Sequence, residues 1–65
     1  MIKVGDCVRV DYEGYDEGYA DGYHWTGICT WTDGHKFEFL IDGEFDIWTD
    51  GDLGVVGAMV INESR

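Results

Sequence analysis

Positive charge is what this chain nearly lacks. Lys3, Arg9, Lys36 and Arg65 stand against fourteen acids, giving a formal net charge of −10 over 65 residues. Direct binding to nucleic acid or to an anionic membrane is disfavoured, because both select Lys and Arg. Self-repulsion on that scale works against a compact state, so a basic protein surface is favoured as partner, with plain solubility as the alternative account. Cysteine is scarce as well. Cys7 and Cys29 form no Cys-x-x-Cys pair, which excludes a disulfide scaffold or a zinc knuckle. Both are expected as reduced, buried small hydrophobes. The stretch "MIKVGDCVRV" lacks the apolar run of a secretory signal, and no segment is long enough to span a membrane, so a cytoplasmic protein is expected.

Catalytic residue patterns are equally sparse. Ser64 is the sole serine and falls in the tail. Gly18 and Gly22 are set among acids that would repel a phosphate. A calcium loop counted from Asp42 puts Ile47 at its sixth position and Leu53 at its twelfth, so that pattern fails. His24, His35, Cys7 and Cys29 have no metal-ligand spacing. A chain of this size buries only about 60% of its unfolded surface, which leaves little room for a substrate pocket. No metal, no cofactor and no enzymatic activity are expected. A paired-carboxylate hydrolase is the strongest enzymatic alternative.

What the chain does have is aromatic rings and Asp-Gly pairs. Three Trp, four Tyr and three Phe supply the bulk a small core needs, at roughly 150–250 Å² apiece. Asp-Gly occurs at 21–22, 33–34, 42–43 and 50–51, and this dipeptide suits the positive φ of hairpin turns. No stretch carries helical spacing. The segments between turns alternate as strands do. "CVRVDY" places Val8, Val10 and Tyr12 on one side. "HWTGICTW" places Trp25, Gly27, Cys29 and Trp31 inward, with Gly27 where another strand passes closely. "HKFEFLI" gives Phe37, Phe39 and Ile41; "EFDIWT" gives Phe45 and Ile47 inward; "GVVGAMVI" closes as a glycine-interrupted strand. The expectation is one all-β domain over 1–65, a small five-stranded SH3-like barrel with a long first loop.

The segments "VGDCVRVDYE", "DGYHWTGICTW" and "FEFLIDGE", with a Leu at residue 53, resemble the layout of Tudor and related SH3-like barrels over roughly residues 4 to 53. The resemblance implies an aromatic cage for methylated Lys or Arg, and Tyr12 and Trp25 match its first half. After the third strand this chain has "IDGEF" where the family has an aromatic–Gly–Asn stretch, so the second half of the cage is missing. A peptide-reading module, with or without methylation, is therefore the alternative function. A structural part of a larger assembly is a third.

Acids and rings also run together in two windows. Residues 42–52, "DGEFDIWTDGD", alternate Asp42, Glu44, Asp46, Trp48, Asp50 and Asp52 with other residues. If Phe45 and Ile47 pack inward, then Glu44, Asp46 and Trp48 face solvent about 6–7 Å apart. Residues 13–24, "EGYDEGYADGYH", interleave Glu13, Asp16, Glu17 and Asp21 with Tyr15, Tyr19 and Tyr23 on a glycine-rich segment, the composition of an adhesive loop. Ten of the fourteen acids, five in each, fall within 11–23 and 42–52, where there is no Lys, Arg or His. Anionic groups in series beside flat rings are what a nucleic acid presents. The expected function is a non-enzymatic binder that occludes a basic, nucleic-acid-binding surface of a partner protein. Carboxylates would pair with Arg and Lys, and Trp48 would supply the stacking surface. Small acidic inhibitors of this kind are familiar among phage proteins, and by that analogy a host cytoplasm is the expected setting. Oligomeric state is open at this level.

Overall fold

A computed structural model of the protein describes residues 2–14 and 22–62. The elements run β1 (Cys7–Tyr12), β2 (Tyr23–Thr32), β3 (Lys36–Ile41), β4 (Glu44–Thr49), α1 (Asp50–Val56) and β5 (Met59–Val60). The strands form one antiparallel sheet in the order β4-β3-β2-β1-β5. The all-β expectation holds. Closure into a barrel does not: β4 and β5 are the two edges of an open sheet. The helix takes up the chain that was expected to continue as strand, leaving β5 only two residues, both paired with β1.

The sheet is nonetheless strongly coiled. β2 pairs with β1 through Tyr23–Ile28 and with β3 through Ile28–Thr32, so Ile28 alone is paired with both strands, while Cys29 next to it bonds to Gly5 and Asp6 just before β1. The row Cys7, Ile28, Leu40, Phe45 crosses β1, β2, β3 and β4. Counting three residues back along β2 and three forward along β4 puts Trp25 and Trp48 six residues apart, about 20 Å on a flat sheet. Their ring centroids lie 5.4 Å apart. Only a sheet bent back over its inner face brings them together.

Most of the inward set is as the alternation predicts. Val8, Val10, Cys29, Phe37 and Phe39 are buried, and Leu53 and Val56 of α1 cover one end. Gly27 lies where β3 presses closest: a Cβ there would come 2.7 Å from Ile41 Cγ1 and 3.0 Å from the Leu40 carbonyl oxygen. Gly27→Ala is therefore expected to cost about 1–3 kcal/mol, read as a lowered thermal midpoint, because the Leu40 main chain must move to admit the methyl.

Strand β4 corrects the expected facing. Asp42 (φ 55°) and Gly43 (φ 82°) make a two-residue turn of the kind Asp-Gly favours. That turn sets Ile41 opposite Glu44, Phe39 opposite Asp46 and Phe37 opposite Trp48. Directly opposed residues share a face, and Phe37 and Phe39 go to the core. Trp48 therefore turns inward, while Phe45 and Ile47 point away, 61% and 55% exposed. A shift of one residue reverses every side chain of a strand.

Two further expectations give way. Trp31 is not inward: a bulge between Cys29 and Trp31 sets it opposite Glu38 on the outer face, while Thr30 Oγ1 hydrogen-bonds to the Glu38 carbonyl and Oε1. The Asp50–Gly51 pair makes no hairpin but opens α1. Thr49 caps the helix by accepting from the Asp52 N–H, Asp50 and Asp52 occupy its first turn, and Leu53 and Val56 share its buried side. Gly57, left-handed at φ 69°, ends it by donating to the Gly54 carbonyl, with Ala58 donating to Leu53. Acids at a helix start and glycine at its end are favoured chemically.

A polar clasp joins the segment before β1 to the one after β5. Asp6 is buried and accepts from the Lys3 N–H and the Asn62 side-chain amide, both at 3.0 Å, while Asn62 Oδ1 accepts from the Cys7 N–H at 2.9 Å. The Asn62 hydrogen bond first, then the Lys3 N–H, hold the Asp6 carboxyl below its usual pKa. A lowered carboxylate contributes stability above the ordinary carboxylate pKa that is lost as pH falls through the folded-state value. Asp6→Asn should flatten part of the decline in thermal midpoint below about pH 4 while lowering the midpoint at neutral pH. Parallel pH profiles for the two proteins would disprove the clasp's role.

Candidate functional site

Strand β4 carries the acids along one edge of the sheet. Glu44 and Asp46 lie on the same side of the strand as Trp48, beside Ile41 and Phe39 of β3. Edge position leaves both carboxylates exposed while Trp48, further along, is half-buried against the core. Asp42 is exposed at the hairpin tip and Asp50 at the first turn of α1. Asp52 is half-buried beside the Thr49 cap, to which its N–H donates at 3.1 Å. Among the described residues an ion pair joins Asp11 to Arg9 at 3.3 Å, and Asp11 hydrogen-bonds to His24 Nδ1 at 3.0 Å. Among the described residues no ion pair or side-chain hydrogen bond engages Asp42, Glu44 or Asp46. The segregation of charge read from the sequence therefore reaches the surface along β4.

Trp48 does not stand among these acids as a solvent-facing ring. Its indole packs edge-on to Tyr23, with centroids 5.4 Å apart and planes at 85°, and tilts against Trp25. Trp25 in turn lies 5.3 Å from Phe39. Tyr12 is half-buried and pairs across the strands with Tyr23. The coil of the sheet thus gathers Tyr12, Tyr23, Trp25 and Trp48 on the inner face, next to the β4 acids. Tyr23, 37% exposed, is the ring of this group most open to a partner. Trp25 Nε1 is buried with no hydrogen-bond acceptor among the described residues.

The two acidic windows meet in part. Tyr23 closes the tyrosine-rich segment and touches Trp48 of the β4 window. Glu13, just past the end of β1, is exposed. Tyr15, Asp16, Glu17, Tyr19 and Asp21 lie outside the described residues. The contact of Trp48 with Trp25 was not foreseen from sequence, because alternation places residues on faces and is silent about the coil that joins distant ends.

Other chemistry is thinly represented. A cleft of about 220 Å³ between Ile2, Phe37, Leu53 and Ala58 has Asp50 as its acid, below the ~300–1,000 Å³ of ordinary ligand pockets. Among the described residues no group of three or more His, Cys, Asp and Glu is placed to hold a metal ion, and no helix is long and apolar enough to cross a membrane. Cys7 and Cys29 are free thiols. They sit on opposite faces of the sheet, and burial pushes the Cys29 thiol above its usual pKa. The Asp33 carboxylate accepts from the Lys36 and His35 N–H groups, which lower its pKa, and so braces the β2–β3 turn.

Comparison with protein-family models, with curated proteins and with solved structures finds no match for this chain.

Proposed function

We propose that this chain is a non-enzymatic binding protein whose acidic edge occupies a basic surface of a partner protein, one that itself binds nucleic acid, and blocks it. The observation that carries this reading is the exposed run of Asp42 at the hairpin tip and Glu44 and Asp46 on β4, with no ion-pair partner among the described residues. On one face of a strand such carboxylates repeat about every 6–7 Å. Arg and Lys of a nucleic-acid-binding site meet them as they meet phosphates. Tyr23 takes over the contact role first expected of Trp48, and Trp48 supports it from beneath. The long-range field of a −10 chain steers association, and the short-range pairs set release. A phage or mobile-element origin, and with it a host cytoplasm, belongs to this proposal by analogy alone.

The direct test is capture from a lysate on immobilised protein at low and high salt. Retention of nucleic-acid-binding proteins at low salt, their release by salt, and competition by DNA or RNA support occlusion. Captured partners that still bind nucleic acid at full affinity would sink it.

The convergence of Tyr12, Tyr23, Trp25 and Trp48 favours one second reading, a Tudor-like module that receives a methylated Lys or Arg. Rings 5.3–5.4 Å apart already touch, so a cation would have to approach the open side of Tyr23 rather than enter between them. Titration with methyl-lysine and methyl-arginine peptides, followed by indole fluorescence, separates the two readings.

A further inference from the structure

The reversal of β4 leaves apolar side chains on the outer face of the sheet. Phe45 is 61% exposed, Ile47 55%, Ile28 48%, Trp31 45% and Leu40 37%. They are contiguous. Ile28, Leu40 and Phe45 stand side by side in one row across β2, β3 and β4, and Trp31 and Ile47 flank Glu38 in the next. With large apolar side chains at about 150–250 Å² each, the exposed portions make a patch on the order of 500 Å². That is near the upper end of what monomers leave uncovered, about 300–600 Å². Helix α1 covers the other face, through Leu53 and Val56.

We propose that this face is the interface between two copies of the chain, packed sheet against sheet. Charge distribution selects a second copy as the occupant. Two chains of −10 each repel wherever their acids meet, yet the outer face of β2–β4 carries only Lys36 and Glu38 as charged strand residues, one of each sign. The β4 acids Glu44 and Asp46 sit on the opposite side of their strand. This is the face on which self-approach meets least repulsion. A two-fold arrangement requires a surface that complements itself, and a neutral apolar stripe with a Lys and a Glu two residues apart satisfies that. Each copy contributes somewhat less than the ~800 Å² of a standard interface, so the dimer is weak and concentration-dependent. It leaves the β4 carboxylates of both copies outward, doubling the acidic edge without covering it.

Salt distinguishes this association from capture of a basic partner. Screening weakens the pairing of opposite charges but relieves repulsion between two anionic chains. Sedimentation of the full chain from about 1 µM to 1 mM should show a rise from monomer toward dimer, stronger at high salt. Phe45→Lys should hold the protein monomeric throughout that range while circular dichroism shows the same fold. Ile47→Thr, a milder change, should weaken dimerisation several-fold. Should Phe45→Lys fail to fold, dilution of the wild type followed by amide chemical shifts decides the matter, with shifts concentrated on the outer-facing residues of β2, β3 and β4. A monomer at every concentration, a dimer indifferent to both substitutions, or a dimer dissolved by salt would each overturn the proposal. The outcome is independent of whether the acidic edge binds a basic protein.

Discussion

Phe39→Ala is expected to remove a large share of the folded state's stability. Phe39 is fully buried, the largest such side chain, and it contacts Trp25 and Phe37. Removing a buried phenyl ring costs about 3–5 kcal/mol. A domain of 65 residues holds only about 3–10 kcal/mol in total, so the loss consumes from about a third of it to all of it. Where a transition survives, the thermal midpoint should fall by at least about 12 °C, at roughly 4–8 °C per kcal/mol for a chain this small. Phe45→Ala makes the informative contrast. The same residue type on the outer face, mostly exposed, should cost about 1 kcal/mol or less. Equal damage from the two substitutions would mean that the facing of β4 is wrong.

Reversing Glu44 and Asp46 to lysine should do little to folding and much to binding. Both side chains are exposed on an edge strand, so their replacement removes no packing. The double change moves the net charge from −10 to −6, two units per substitution. Association with a cationic probe such as poly-lysine, or with a captured partner, should slow at least ~10-fold at low salt and converge with wild type as salt rises. A control with the same net charge, Val4→Lys, Val55→Lys, Met59→Lys and Val60→Lys together, all at exposed positions outside β4, separates the local stripe from the overall field. If the control slows association as much as the stripe variant does, only net charge matters and the β4 edge is not a site. Trp48→Ala, by contrast, is expected to show its effect mainly as lost stability, because the indole braces Tyr23 and Trp25.

The particular successes and failures of sequence reading share a cause. β1 and β3 were legible because one side of each is apolar and the other mostly polar: Val8 and Val10 mark the first, Phe37 and Phe39 the second. β4 has large apolar residues on both sides, and alternation alone favoured the pair Phe45 and Ile47 over the single Trp48. The information that decides was present nevertheless. A two-residue Asp42–Gly43 turn makes residues whose numbers sum to 85 face one another, so Phe37 inward forces Trp48 inward. The short helix was masked by its two glycines, although Thr49 before Asp52, the Leu53–Val56 spacing and Gly57 are its ordinary start, face and stop signals. The bulge that turns Trp31 outward left no mark in the residue pattern. Charge segregation along β4, by contrast, carries over to the described surface, because it depends on which residues are charged and not on which way a strand faces.

The single shared pairing position at Ile28 gives the sheet a crease. On one side of it the first half of β2 forms a panel with β1; on the other, the second half forms a panel with β3 and β4. Beside Ile28 the panels are tied by Cys29, whose N–H donates to the Asp6 carbonyl and whose carbonyl accepts from the Gly5 N–H, so deuterium should enter the amides of Tyr23–Gly27 and Cys29 in step with β1, and those of Trp31 and Thr32 in step with β3. The angle between the panels is what closes Trp48 over Trp25.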